Sequence, residues 1–208
     1  MLQVLRELLV PSFCYYCHLS LETNEPLCFS CADFPPLLSL PLALAQDKVL
    51  FVFALSTYDD PLKQILNSRH ANDYAFWVHM GTLLHRFFKE KILPGDLLIP
   101  LPNDSASQRR CGFRKTLVMT NQLSVLSGTP IADVIRPIKH LSHRPYRSTR
   151  EWYEFLQDAF EIKTLPTHTR IFLIDVSIVT GATLSVFARE IQKNIKSPLH
   201  ALVLCQDS

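Results

Sequence analysis

Four stretches of the chain are dense in apolar residues, and the segments between them repeat apolar residues every three or four positions. Ile171–Ile174 is unbroken and contains β-branched residues, the composition of a strand covered on both faces as in a parallel sheet. Val49–Leu55, Asp96–Pro102 and Leu199–Cys205 read as further strands. Ala75–Lys89 carries Phe76, Met80, Leu83, Leu84 and Phe87 at helical spacing, which leaves His79 and His85 as surface or packing residues. Thr116–Leu126 reads as a helix stopped by Gly128, and Leu184–Lys193 as another with Val186, Phe187 and Ile191 turned inward. Tyr58–Leu66 turns into a short helix with Pro61 near its first turn, and Leu2–Val10 presents Leu2, Leu5, Leu8 and Leu9 on one face before Pro11 ends it. Buried strands separated by helices predict an α/β domain on a parallel sheet flanked by helices.

Composition changes this picture little. With 208 residues, 48% of them hydrophobic, the chain can hold one ordinary domain and a small appendage. The formal net charge of +2 supplies no whole-molecule field for nucleic acid, so any such contact must come from local basic patches. The start lacks the basic-then-apolar pattern of a signal peptide, and no stretch reaches about 18 uncharged apolar residues, so no membrane span is expected and a cytoplasmic protein is.

The appendage is visible in the cysteines. Cys14 and Cys17 form one C-x2-C knuckle and Cys28 and Cys31 a second, ten residues further on. Zinc takes four thiolate or imidazole ligands in a tetrahedron, and two tight knuckles supply two each without needing a core of their own. Disulfides are the competing reading, which a reducing compartment disfavours. His18 is an alternative ligand, but four cysteines already fill the shell, leaving it as an exposed loop histidine. The Pro-rich segment Asp33–Leu44 is expected to pack as a link, with a boundary near residue 45: a zinc ribbon over 1–45, with its N-terminal helix, and the main domain over 46–208. Cys111 and Cys205 are left over as small hydrophobes.

The chemistry is concentrated after the central strand. Asp175 stands at its carboxyl end, the edge at which open α/β sheets bind ligands. Thr180, Gly181, Ala182 and Thr183 then offer two hydroxyls and small residues just before a helix expected to begin near Leu184, where backbone N–H groups face an anion. Arg109, Arg110, Arg114 and Lys115 form a basic cluster after the Asp96–Pro102 strand, which suits either phosphate contacts or a solvated helix entrance. The least regular stretch, Ile138–Tyr153, mixes cations with aromatics as single-strand binders do. Of Trp152, Tyr153 and Phe155, at least two are expected to pack onto the sheet instead.

The run from Ile171 to Thr183 resembles the ribose-phosphate signature of the type I phosphoribosyltransferases, in the form found in the ComF family of competence proteins. The four cysteines, the Tyr58 helix and Pro100, Pro102, Arg109, Gly112 and Phe113 follow in the family's order. Departures are specific. Val176 stands where the pattern has a second acid and Val179 where it has the first of two threonines; Asp104 replaces a histidine, Cys111 an arginine, and Arg114 and Lys115 an Asn-Gln pair. An acid at 104 is expected to sit badly near a polyanion.

The resemblance implies a type I phosphoribosyltransferase-like sheet with an N-terminal zinc ribbon. It implies that phosphoribosyl pyrophosphate or ribose 5-phosphate binds at Asp175, Ser177, Thr180, Gly181, Ala182 and Thr183, with pyrophosphate or DNA at Arg109, Arg110, Arg114 and Lys115 and magnesium accompanying the pyrophosphate. It further implies a role in natural transformation and DNA uptake, weak contact with single-stranded DNA and a DNA-uptake helicase as partner. Two readings stay open: a phosphate-ligand and DNA-handling module that has lost the chemistry, which the departures favour, and an active magnesium-dependent phosphoribosyltransferase.

Overall fold

The computed structural model describes residues 12–22, 25, 27–32, 38–43, 49–59, 61–141, 148–165, 170–193 and 195–206. The helix expected over Leu2–Val10, the boundary at residue 45 and the centre of the cationic stretch, 142–147, lie outside the described residues.

The central sheet has five strands, β3 (Leu38–Ala43), β4 (Val49–Thr57), β5 (Leu97–Pro100), β8 (Ile171–Ile178) and β9 (Leu199–Gln206), in the order β3-β4-β9-β8-β5. All neighbours are parallel except β3, which pairs antiparallel with β4. The Pro-rich segment thus supplies a strand as well as a link. Pro41 is tolerated there because an edge strand needs only half of its backbone groups paired. Two small antiparallel pairs lie apart from this sheet: β1 (Ser12–Phe13) with β2 (Ser20–Leu21), and β6 (Ile135–Pro137) with β7 (Phe160–Ile162).

Two buried clusters cover the sheet, one on each face. On one side α1 (Leu62–Asn67), α2 (Tyr74–Phe88) and α4 (Lys115–Ser127) bring Leu62, Phe76, Trp77, Met80 and Met119 against Phe172, Ile174, Leu202 and Leu204. On the other, α5 (Thr149–Gln157) and α6 (Ala182–Gln192) set Trp152, Leu156, Val186, Phe187 and Ile191 against Ile171, Leu173, Ala201 and Val203. Residues 171–174 of β8 and 201–204 of β9 alternate between the two clusters, the two-residue period of a strand buried on both faces, and the alternation breaks at the carboxyl ends, at Ile178 and Cys205. The result is a mixed α/β fold with a mostly parallel central sheet flanked by helices and a cysteine cluster at the N-terminal side, as the apolar pattern predicts. No helix among the described residues is long and apolar enough to cross a membrane.

Two details fix the frame around the site. At the amino end of β5 and β8, Asp96 is fully buried and takes Nε and Nη2 of Arg170 at 3.0 and 2.7 Å, so the one buried acid at that end is paired in a fork. At the crossing of α2 and α4, a Cβ on Gly81 would lie 2.4 Å from the Met119 carbonyl oxygen, so the two helix backbones touch.

Candidate ligand cavity and metal centre

β8 runs four residues beyond Ile174, so Asp175 lies inside the strand rather than at its end; residues 175–177 are partly exposed and Ile178 is buried again. Strand alternation puts Asp175 and Ser177 on the side of Ile171 and Leu173 and turns Val176 toward α2 and α4, where it packs with the apolar cluster. The expected ligand pair Asp175 and Ser177 therefore shares a face. Val176, the residue in place of the second acid, points away from both.

The chain leaves β8 through Val179 and Thr180 and enters α6 at Ala182, two residues earlier than the sequence predicts. Gly181 caps the helix with φ 72°, a left-handed conformation that needs no Cβ, and a Cβ there would also meet Leu42 of β3 at 2.7 Å. Thr180 Oγ1 accepts the Ala182 N–H at 3.4 Å, while Thr183 falls in the first turn of the helix and its Oγ1 accepts the indole N–H of Trp152 at 3.1 Å. First-turn N–H groups have no acceptor within a helix, and the helix dipole adds partial positive charge at that end. Such an end offers donors to an anion.

Asp175 Oδ1 accepts the Val176 N–H at 2.8 Å. Although the residue as a whole is partly exposed, its carboxyl group is enclosed, and that desolvation pushes it up to about 7 against the lowering effect of the backbone bond. Because the folded value lies above the ordinary 3.8, Asp175 favours the folded state most at pH below about 4 and that contribution fades as pH rises to 7.

A cavity of about 750 Å³ opens at the carboxyl ends of the parallel strands and collects these groups. Its floor is Asp175–Thr183; Tyr58, Trp77 and Trp152 form aromatic walls, and Lys115 enters from the first turn of α4. Lys115 lies 5.1 Å over the Trp77 ring, and desolvation lowers its pKa, with Arg110 adding to the fall and Cys111 opposing it. The four basic residues expected as one cluster are divided. Arg114 is bound to Asp133 at 2.6 Å, Arg109 contacts His140 Nε2 at 2.6 Å, Arg110 is exposed on α3 (Ser105–Cys111), and Lys115 alone lines the cavity.

Asp104 lines the cavity, and its carboxylate accepts the Ser107 N–H at 2.9 Å and caps α3, so the acid stands at the cavity rim engaged by a helix start. Trp152 is buried and Tyr153 and Phe155 are partly buried against the same cluster, so all three pack on the sheet side, within a regular helix. The pattern missed Asn103, whose Oδ1 accepts the Thr116 N–H at 3.2 Å and ties the cavity rim to α4.

The four knuckle cysteines are free thiols whose Sγ atoms all lie within 4.8 Å of one another, with Cys17 and Cys28 at 3.7 Å. A tetrahedron of thiolates about 2.3 Å from zinc has edges of about 3.8 Å, so the donor set fits a bound metal ion. Burial pushes the Cys14 thiol up, but backbone N–H groups of Cys17, Cys28 and Tyr16 outweigh it and bring it down to about 7. His18 is exposed and outside this group. Tyr15, between the first two cysteines, bonds through its hydroxyl to His79 Nδ1 at 2.9 Å and packs edge-on to Phe76. His79 is thus a docking contact for the cysteine unit on α2.

No protein-family model matches the chain, and no curated protein sequence does. Among solved structures it is similar to an orotate phosphoribosyltransferase from Aeropyrum pernix, with TM-score 0.43 and 13% identity over 82% of this chain and 76% of that one. An adenine phosphoribosyltransferase gives 0.38 and 16% over 81% and 85%. The adenine phosphoribosyltransferase from Saccharomyces cerevisiae, in complex with adenine and an imino-altritol bisphosphate, gives 0.38 and 16% over 83% and 84%.

Proposed function

We propose that the cavity binds a phosphorylated ribose, ribose 5-phosphate or phosphoribosyl pyrophosphate, and that the chain acts as a ligand-binding module of ComF type with little or no transferase turnover. The observation that carries this reading is the meeting, in one cavity, of the helix start Thr180–Thr183, the desolvated carboxyl of Asp175 and the half-buried Lys115. A 5-phosphate takes the N–H groups and hydroxyls at the start of α6. Asp175 and Ser177 take the ribose hydroxyls, and Lys115 takes a second phosphate group.

The ribose half is weakened. With Val176 packed among the apolar residues by α2 and α4, Asp175 is the one acid of the motif left to accept from the ribose; a hydrogen bond to a second charged group would be worth about 1.5–3 kcal/mol, roughly ten- to a hundredfold in affinity. The alternative, an active magnesium-dependent phosphoribosyltransferase, is separated by titrating phosphoribosyl pyrophosphate with and without magnesium while following pyrophosphate release. Binding with no measurable release is expected; fast magnesium-dependent release in the presence of an acceptor overturns the module.

The four cysteines hold a structural zinc in this account, with residues 1–45 as the metal-bearing unit and 46–208 as the ligand-binding body, tied together by β3 in the sheet and by Tyr15 on α2. The role in DNA uptake implied by the resemblance would draw on exposed cations. Among the described residues, with Arg114 paired and Lys115 in the cavity, Arg109, Arg110 and Arg150 remain, and Arg150 already pairs with Glu154. Two or three phosphates neutralised give a slope of about −1.4 to −2 in log affinity against log salt for single strands. Fluorescence anisotropy with a labelled oligonucleotide measures it, and binding indifferent to salt, or none at low salt, removes DNA from the account.

A further inference from the structure

The geometry points to Trp152 as a positioning residue for the ligand phosphate, a role that rests on the phosphorylated-ribose reading of the cavity. Trp152 sits in the first turn of α5, is 5% exposed, and stacks on Phe155 at 5.5 Å between ring centroids. Its indole has one donor and no acceptor, and that donor goes to Thr183 Oγ1. The oxygen of Thr183 is therefore an acceptor toward the α5 side, and its own O–H must point elsewhere. Among the described residues the Thr183 side chain makes no other hydrogen bond, and it lines the cavity in the first turn of α6.

An unconstrained threonine hydroxyl rotates among three staggered wells. The indole contact selects rotamers in which the O–H points away from Trp152, so a phosphate oxygen at the helix start receives this hydroxyl together with the backbone donors. Preorganising a donor spares the ligand the cost of ordering it. Trp152 does this without touching phosphate itself, and the same contact fastens α5, which begins within the cationic stretch, to the start of α6.

The test is a binding cycle with ribose 5-phosphate on natural protein, Trp152→Phe, Thr183→Val and the double variant, with thermal midpoints measured alongside. Phe keeps the stacking surface and removes only the N–H. Trp152→Phe is expected to weaken binding about fivefold, the size of one neutral hydrogen bond. Thr183→Val is expected to weaken it more, and the double variant no further than Thr183→Val alone, because Trp152 acts only through that hydroxyl.

Affinity unchanged in Trp152→Phe while the natural protein binds, or losses that add in the double variant, overturns the role and leaves the cavity reading standing. No binding by the natural protein overturns the cavity reading and the role together. Should Trp152→Phe fold poorly, the indole N–H resonances of the natural protein decide. Ribose 5-phosphate is expected to shift the Trp152 indole N–H and slow its exchange; a Trp152 signal that ignores ligand overturns the role.

Discussion

Freshly prepared, reduced protein is expected to carry one zinc per chain, and Cys28→Ser or a strong chelator is expected to unfold the two knuckles while leaving the parallel sheet in place. The unit has almost no core of its own: β1 and β2 are two residues each, and its buried residues Cys14, Leu27, Cys28 and Ala32 belong to the same buried cluster as α1 and α2. Metal binding supplies the missing folding free energy, about 10–16 kcal/mol in small zinc modules. The body should not pass through this unharmed. Losing the Tyr15 contact with His79 and the cover over Phe76 exposes part of the α2 cluster, so a lower thermal midpoint for the rest of the chain is expected too. Elemental analysis and hydrogen exchange of residues 12–32 check both parts. Metal content near zero, or knuckle amides still protected after chelation, contradicts the assignment.

Gly81→Ala is expected to be the most damaging single methyl addition in the body. Helix propensity alone would make it stabilising by about 1 kcal/mol, since alanine is the better helix former. The added Cβ, however, would sit 2.4 Å from the Met119 carbonyl oxygen and 2.7 Å from Gln122 Cβ, and backbone on α4 cannot swing aside as a side chain can. Forcing atoms into a packed contact costs about 1–3 kcal/mol and at times more. With a backbone oxygen in the way the cost lies at the upper end, so after the propensity gain a net loss of about 2 kcal/mol is expected, which lowers the thermal midpoint of a chain this size by about 4–8 °C. Thermal unfolding followed by circular dichroism measures it, and a midpoint at or above that of the natural protein would show that α2 and α4 do not touch at Gly81.

The strands and most helices could be read from the sequence because their signals are local. Ile171–Ile174 has no polar residue to place it on a surface, and Gly128 stops α4 in the left-handed conformation that glycine accepts without strain. β3 was harder, since prolines at 35, 36 and 41 speak for a linker and only pairing with β4 makes a strand of residues 38–43. Asp104 carried an N-cap signal, an acid ahead of a short helix, that alignment with a family motif obscured.

The cavity was legible in its floor and not in its walls. Asp175 and Thr180–Thr183 are contiguous, so spacing alone groups them, whereas Lys115 meets Trp77 and Trp152 meets Thr183 across long loops of chain. Only the order and crossing of strands brings such pairs together, and no short-range pattern encodes that. The division of the basic cluster has the same origin: Arg114 and Lys115 are adjacent, yet the start of α4 sends one to Asp133 and the other into the cavity.

The most direct measurement is calorimetric titration of ribose 5-phosphate into natural protein at pH 6 and pH 8, with inorganic phosphate as competitor and Asp175→Asn in parallel. A carboxyl that titrates near 7 is about one-tenth ionised at the lower pH and about nine-tenths at the higher, so its bond to the ribose hydroxyls should strengthen affinity up to about tenfold across that range. The phosphate of the ligand, with its second pKa near 6, adds a smaller rise that Asp175→Asn retains. Binding that inorganic phosphate displaces, that tightens toward pH 8, and that loses most of this pH dependence in Asp175→Asn is the predicted result. No heat at millimolar ligand, or binding that phosphate leaves untouched, would contradict a phosphorylated-ribose site in this cavity.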